Sequence, residues 1–101
     1  DSSIGEEIAA LIEFYERYDE GKYHLDGAPL HDPCTVAYLL KPELFKFKNV
    51  NVEIETGGTF TRGATVVDYW AVTDRIPNVQ WAYEVDDEGF FDLLNQYLSK
   101  I

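Results

Sequence analysis

The stretch NVNVEIE, residues 49–55, sets Val50, Val52 and Ile54 against polar neighbours with a period of two. That alternation fits a strand with one buried and one wet face, and does not fit a helix, whose apolar residues recur every three or four positions. A strand of this kind needs partners for its backbone groups, and the chain offers them directly downstream. TGGT (56–59) turns the backbone, and FTRGATVVDYWAV (60–72) is rich in β-branched and aromatic residues, so it offers a return strand. NVQWAYEV (78–85) offers a third strand, with Val79, Trp81, Tyr83 and Val85 on one face.

Outside this block the period is helical. Ser3 and Glu6 have the spacing of a capping box, and Ile4, Ile8, Leu11, Ile12 and Tyr15 follow at helical intervals, which predicts a helix from Ile4 to Tyr18. DEGKYHLDGAP (19–29) breaks the pattern with Gly21, Gly27 and Pro29 and reads as a loop. A second helix is expected to start at Pro33, since proline suits the first turn and Asp32 can cap it, and to stop before Pro42. Its apolar set is Val36, Ala37, Leu39 and Leu40. Asp86 is placed to cap a last helix, DEGFFDLLNQYLSKI (87–101), with Phe90, Leu93, Leu94, Tyr97 and Leu98 facing the core. The expected order is helix, helix, three strands, helix: an α+β arrangement in a single unit over residues 1–101, without repeat or linker.

Composition narrows the function. With 46% hydrophobic and 15% aromatic residues, the chain can offset the ordering entropy of folding and is globular rather than disordered. Acidic residues outnumber basic ones 19 to 8, for a net charge of −11, and only Lys46 and Lys48 among the bases lie close together. Such a chain is a poor partner for nucleic acid. Nor does any apolar run approach the roughly 20 residues that span a bilayer. DSSIGEEIAAL, residues 1–11, has no cationic region ahead of its apolar residues, so it does not read as a secretory signal. Cys34 is the single cysteine, which excludes an internal disulfide and a multi-cysteine zinc site. The expectation is a cytoplasmic protein that binds neither membrane nor nucleic acid.

The residues that can carry chemistry lie in GAPLHDPCTVAYLL, residues 27–40. His31 and Asp32 stand side by side where a helix begins, and Gly27, Pro29 and Pro33 restrict the backbone around them. Taken bare, Asp32 is a helix cap more often than a ligand, and His31 a surface residue more often than a catalyst. Arg62 and Asp68, on the expected hairpin, read as a turn or surface pair. The acids Asp86, Asp87 and Glu88 favour the dipole of the last helix.

PLHDPCTVAYLLKPELF, followed by VNVEIETGGTFTRGATVVDY and NVQWAYEVDDEGFFDLL, resembles the C-terminal third of the inosine-uridine-preferring nucleoside hydrolases, from Gly27 to Leu94. The resemblance implies an α/β protein, the C-terminal portion of an open Rossmann-like fold. It implies a parent enzyme that cleaves the N-glycosidic bond of purine or pyrimidine nucleosides to base and ribose. Carried over, His31 is the proton donor to the leaving base and Asp32 one ligand of a Ca2+ ion. Tyr15 and Tyr23, before the HDP motif, become weaker candidates for contact with the nucleoside substrate, and Tyr15 is equally a member of the first helix's apolar stripe. The resemblance also implies a homodimer or homotetramer for the full-length enzyme.

One departure is large. The family's N-terminal DTDPGxDD motif, source of most calcium ligands and of the catalytic base, is absent from these residues. The chain therefore reads as a fragment that is inactive alone, and a non-catalytic acidic α+β binding or assembly module is the alternative.

Overall fold

The computed structural model describes residues 2–23 and 29–101, without the side chains of residues 2, 15 and 18–23. The backbone forms α1 (Ser2–Tyr23), α2 (Pro33–Leu40), a 3-10 turn (Pro42–Leu44), β1 (Phe45–Ile54), β2 (Thr65–Asp68), β3 (Val79–Val85) and α3 (Asp87–Leu98). The expected order of elements holds. Residues group into two compact units, one of Asp1–Leu44 with Asp86–Ile101 and one of Phe45–Val85. Among the described residues no helix is long and apolar enough to cross a membrane.

In the helical unit, α1 runs to Tyr23 and so overruns the expected end at Tyr18. Gly21 does not stop it: one interior glycine costs only about 1 kcal/mol relative to alanine, and its neighbours Glu20 and Lys22 are good helix formers. Ile4, Ile8 and Ile12 are half-buried, whereas Leu11 and Phe14 are exposed. An Arg17–Glu13 pair one turn apart, at 2.9 Å, lies on the wet side.

Helix α2 starts at Pro33 and ends before Pro42, as expected, and its last turn is closed by the Lys41 amide donating to the Ala37 carbonyl at 2.8 Å. The 3-10 turn then drops Leu44 into the interior. Asp86 begins α3 as a true cap, extended in backbone, with its carboxylate accepting from the Gly89 amide at 3.0 Å. The Asp86 amide donates to the Leu44 carbonyl at 2.8 Å, which ties the start of α3 to the 3-10 turn. Among the described residues of this unit, Ala37, Leu44 and Phe90 are the buried apolar ones, and the Phe90 and Phe91 rings meet edge to face at 5.1 Å. Gly89 sits close to its neighbours: a Cβ there would lie 2.6 Å from Leu44 Cδ2, so the Leu44 side chain would have to shift.

Most of the expected apolar face of α2 is not covered. Val36, Leu39 and Leu40 are exposed, Leu39 to 78%. Between α2 and α3 runs an open groove of about 320 Å³ lined by Val36, Ala37, Leu40, Phe90, Leu93 and Leu94, among others.

In the sheet unit, β1 is central in the order β2-β1-β3, and both pairings are antiparallel. The strand begins at Phe45, four residues before the expected start at Asn49, because Phe45 and Phe47 alternate with Lys46 and Lys48 in the same period of two. Residues 51–54 of β1 pair with β2 and residues 45–50 with β3. Lys46 pairs with Glu84 and Phe47 with Ala82, so Tyr83 is the extra residue of a bulge. The bulge interrupts the alternation expected of β3, and of Val79, Trp81, Tyr83 and Val85 only Trp81 is even half-buried.

Two polar residues take core positions in this unit. Asn51 and Asp68 are directly paired across β1 and β2, and both are buried. Asn51 donates to the Ile76 carbonyl at 2.9 Å and accepts from Arg75 Nε at 2.9 Å. The Asp68 carboxylate accepts from the Val72 and Thr73 amides, at 2.9 and 3.0 Å, and from the Thr73 hydroxyl. Asn78 bonds both the amide and the carbonyl of Val52 through its side chain, at 2.9 and 3.0 Å, and so continues the edge of β1 beyond the end of β3. The expected turn or surface reading of Asp68 with Arg62 is corrected: Asp68 anchors the loop after β2, and among the described residues every buried side-chain polar atom has a partner.

The hydrogen bond from the Thr73 hydroxyl, followed by the Thr73 and Val72 amides, holds the Asp68 carboxyl below the ordinary aspartate range. A depressed folded-state pKa gives stability that is present above the unfolded value and is lost as pH falls through the folded one. Melting of the chain is therefore expected to weaken on acidification below the ordinary aspartate pKa, and Asp68→Asn to flatten that part of the pH profile. An unchanged acid limb in Asp68→Asn would remove Asp68 as its source.

Candidate functional site

His31 and Asp32 form the lead-in to α2, and both are exposed. A tight pattern of bonds fixes their backbone. The Cys34 amide donates to the His31 carbonyl at 3.1 Å, and the Thr35 amide to the Asp32 carbonyl at 3.1 Å. The Thr35 hydroxyl donates to the same Asp32 carbonyl at 2.8 Å, and the Cys34 thiol to the Leu30 carbonyl at 3.4 Å. Pro33 lacks an amide hydrogen and occupies the first helical position, where none is needed.

Asp32 does not cap the helix with its side chain, which corrects the expectation. Its backbone is helical, φ −61° and ψ −41°, and its carboxylate makes no capping bond. A cap residue must be extended for its side chain to fold back onto the second or third amide, and Asp32 is already wound into the helix. The contrast with Asp86 is direct, because that residue has ψ 98° and caps. Capping by aspartate is worth about 1 kcal/mol, and at Asp32 that stabilisation is forgone. The freed carboxylate stands beside the positive end of the α2 dipole, which favours a negative group there.

The pair offers an imidazole next to a hard oxygen donor. Elsewhere the described surface is poor in such chemistry. Among the described residues no three His, Cys, Asp or Glu side chains converge as a metal site. Asp86, Asp87 and Glu88 are accounted for by helix capping and its dipole. The groove between α2 and α3 is apolar throughout. Cys34 is half-buried, with its thiol engaged as above. Tyr15 and Tyr23 lie within α1, but their side chains fall outside the described residues, as does His24 altogether. Among the described candidates, His31 and Asp32 stand together, as neighbours in the chain at the start of α2. Sequence reasoning passed over Thr35, although a threonine three residues after Asp32 is a recognisable signal, because its hydroxyl can reach the carbonyl one turn back.

The model of the family described as inosine-uridine preferring nucleoside hydrolase matches residues 1–92. The chain is 46% identical over 94 residues to the pyrimidine-specific ribonucleoside hydrolase RihA of Enterobacter sp. (strain 638), covering 92% of this chain and 30% of that protein. It is 50% identical over 93 residues to RihA of Shigella boydii serotype 4 (strain Sb227), with 91% and 30% covered. Among solved structures it is similar to the purine-preferring ribonucleoside hydrolase from Gardnerella vaginalis, with a TM-score of 0.70 and 32% identity over 88% of this chain and 28% of that one. The chain thus spans about 30% of the length of the curated relatives it matches. The structural match bears out the expected fold class, a portion of a nucleoside hydrolase fold holding three helices and a three-stranded antiparallel sheet. With the family model matching nearly the whole chain, the protein belongs to the inosine-uridine preferring nucleoside hydrolase family.

Proposed function

We propose that this chain supplies the general acid, His31, and one metal-ligating carboxylate, Asp32, to a ribonucleoside hydrolase whose remaining site residues lie outside these 101 residues. The observation that carries the reading is the Asp32 carboxylate: it sits at a helix start, makes no capping bond, and adjoins His31. The full-length relatives are named as ribonucleoside hydrolases, one group pyrimidine-specific and one purine-preferring, so the substrate class is a nucleoside. Both kinds of base belong in any assay.

The donor chemistry fits Ca2+, which takes six to eight oxygen ligands and prefers carboxylates. Asp32 would hold the ion through one carboxylate, and the other ligands would come from the rest of the hydrolase, since no three His, Cys, Asp or Glu side chains converge as a metal site among the described residues. When bound, such an ion orients ribose hydroxyls and makes a water more acidic.

Breaking the bond between ribose and base leaves electron density on the departing base and a carbocation-like ribose. His31, as imidazolium, donates its proton to a ring nitrogen of the base as the bond lengthens. Water adds to the ribose carbon, its proton leaves, and the products are free base and ribose. The bond from the Cys34 amide to the His31 carbonyl restrains the backbone that carries the donor. Tyr15 and Tyr23 are candidates to contact the base. By itself the chain has no means to activate water and is inactive. The open apolar face of α2 and α3 is where the rest of the domain packs.

The test is calcium affinity in the complete hydrolase made by joining this chain to the N-terminal two thirds of a RihA relative. Asp32→Asn is expected to weaken calcium binding by more than the roughly tenfold typical of outer-shell changes. Unchanged affinity would remove Asp32 from the metal site.

A further inference from the structure

Residues 69–78 join β2 to β3, which lie on either side of β1, so this segment crosses the central strand. Polar groups tie it down. The Asp68 carboxylate accepts from the Val72 and Thr73 amides at 2.9 and 3.0 Å, and the Asn51 side chain holds the Ile76 carbonyl and Arg75 Nε at 2.9 Å each. Ala71 has φ +54°, a left-handed backbone that an L side chain adopts only at a cost. The Trp70 ring meets Tyr69 edge to face at 4.8 Å and lies 5.2 Å from Lys48 Nζ. This arrangement inverts the usual polarity. Asn51 and Asp68 are buried, whereas Trp70, Val72 and Ile76 are 77%, 83% and 82% exposed. Three large apolar side chains within seven residues, exposed on a tethered backbone, mark a contact surface.

Charge selects what covers it. The sheet unit, residues 45–85, holds four basic and five acidic residues, a net −1 in a chain of net −11. The remaining residues therefore carry −10, and the sheet unit is where two copies can meet with the least repulsion. Between Val72 and Ile76, Asp74 and Arg75 are exposed neighbours of opposite sign. Arg75 spends Nε on Asn51, and its guanidinium has further N–H donors to offer. We propose that residues 70–76 make a two-fold contact with a second copy of this chain, burying Trp70, Val72 and Ile76. Asp74 of each copy meets Arg75 of the other, the reciprocity that a two-fold interface has.

The test is sedimentation velocity on the complete hydrolase described above, at micromolar concentration, in low salt and in about 1 M NaCl, where the Debye length falls to ~3 Å. Wild type is expected to sediment as an oligomer. Trp70→Ser is expected to weaken association by about thirtyfold or more in both salts, as the loss of a buried interface tryptophan does. Asp74→Arg sets arginine against Arg75, so it is expected to dissociate in low salt and to reassociate in high salt. An oligomer of unchanged mass in both variants overturns the proposal, because another surface then holds the copies together. Failure of salt to restore Asp74→Arg overturns the pairing with Arg75. A monomeric wild type overturns the second copy as partner, and a lowered urea midpoint for Trp70→Ser in that monomer would assign the segment to contact within one hydrolase subunit.

Discussion

Replacing His31 with alanine in the complete hydrolase is expected to lower nucleoside turnover by about a hundredfold or more, the contribution of a positioned general acid. His31 is exposed at the entrance to α2, so its removal deletes no core contact and the fold should survive. The loss should therefore appear in kcat with calcium affinity intact, because Asp32 keeps its backbone bonds from Thr35. It should be largest for bases that leave poorly unless protonated, and smallest for an activated leaving group that needs no proton. Steady-state assays on inosine, uridine and a nitrophenyl riboside make the comparison. Equal turnover of all three by wild type and His31→Ala would take His31 out of the mechanism.

The second large effect concerns stability. Phe90 is the bulkiest buried residue among those described in the helical unit, 5% exposed, and meets Phe91 edge to face. Its burial follows from sequence: the Asp86 cap fixes where α3 begins, and Phe90 is then the first large apolar residue on the inward face. Among the described residues of that unit only Ala37 and Leu44 are buried beside it, so few neighbours can collapse into the space an alanine would leave. Phe90→Ala is expected to cost about 3–5 kcal/mol, a large share of the 5–15 kcal/mol that holds an ordinary domain together. A urea unfolding midpoint that barely moves would mean that Phe90 is not a core residue. The exposed neighbour Phe91 provides the contrast, and its alanine variant should be far milder.

Much of this architecture could be read from residue order. Alternation in NVNVEIE marked the central strand, and Pro33 and Pro42 bracketed α2 at its observed limits. Asp86 capped α3 as its position suggests. The failures have particular causes. Helix α1 passed through Gly21 because one glycine is a weak breaker, and β1 started early because lysines between phenylalanines still make an alternating strand. On α2, periodicity shows which side is apolar but not whether anything covers it. Asp68 was misplaced for a related reason: a strand-end aspartate reads as surface until the loop that folds back onto it is known. At the site, the HDP motif was legible and the state of Asp32 was not. Its helical backbone goes with the turn closed by the Cys34 amide on the His31 carbonyl, and local rules for a pre-proline aspartate point the other way.

The central claim is that this chain completes a nucleoside hydrolase site which it cannot form alone. The most direct measurement is reducing-sugar release from uridine and inosine by the 101-residue chain and by the same chain joined to the N-terminal two thirds of a RihA relative, each with and without a calcium chelator. The account predicts ribose release by the joined protein only, abolished by chelation and restored by added calcium. Release by the chain alone, or release by the joined protein that ignores chelation, would contradict it.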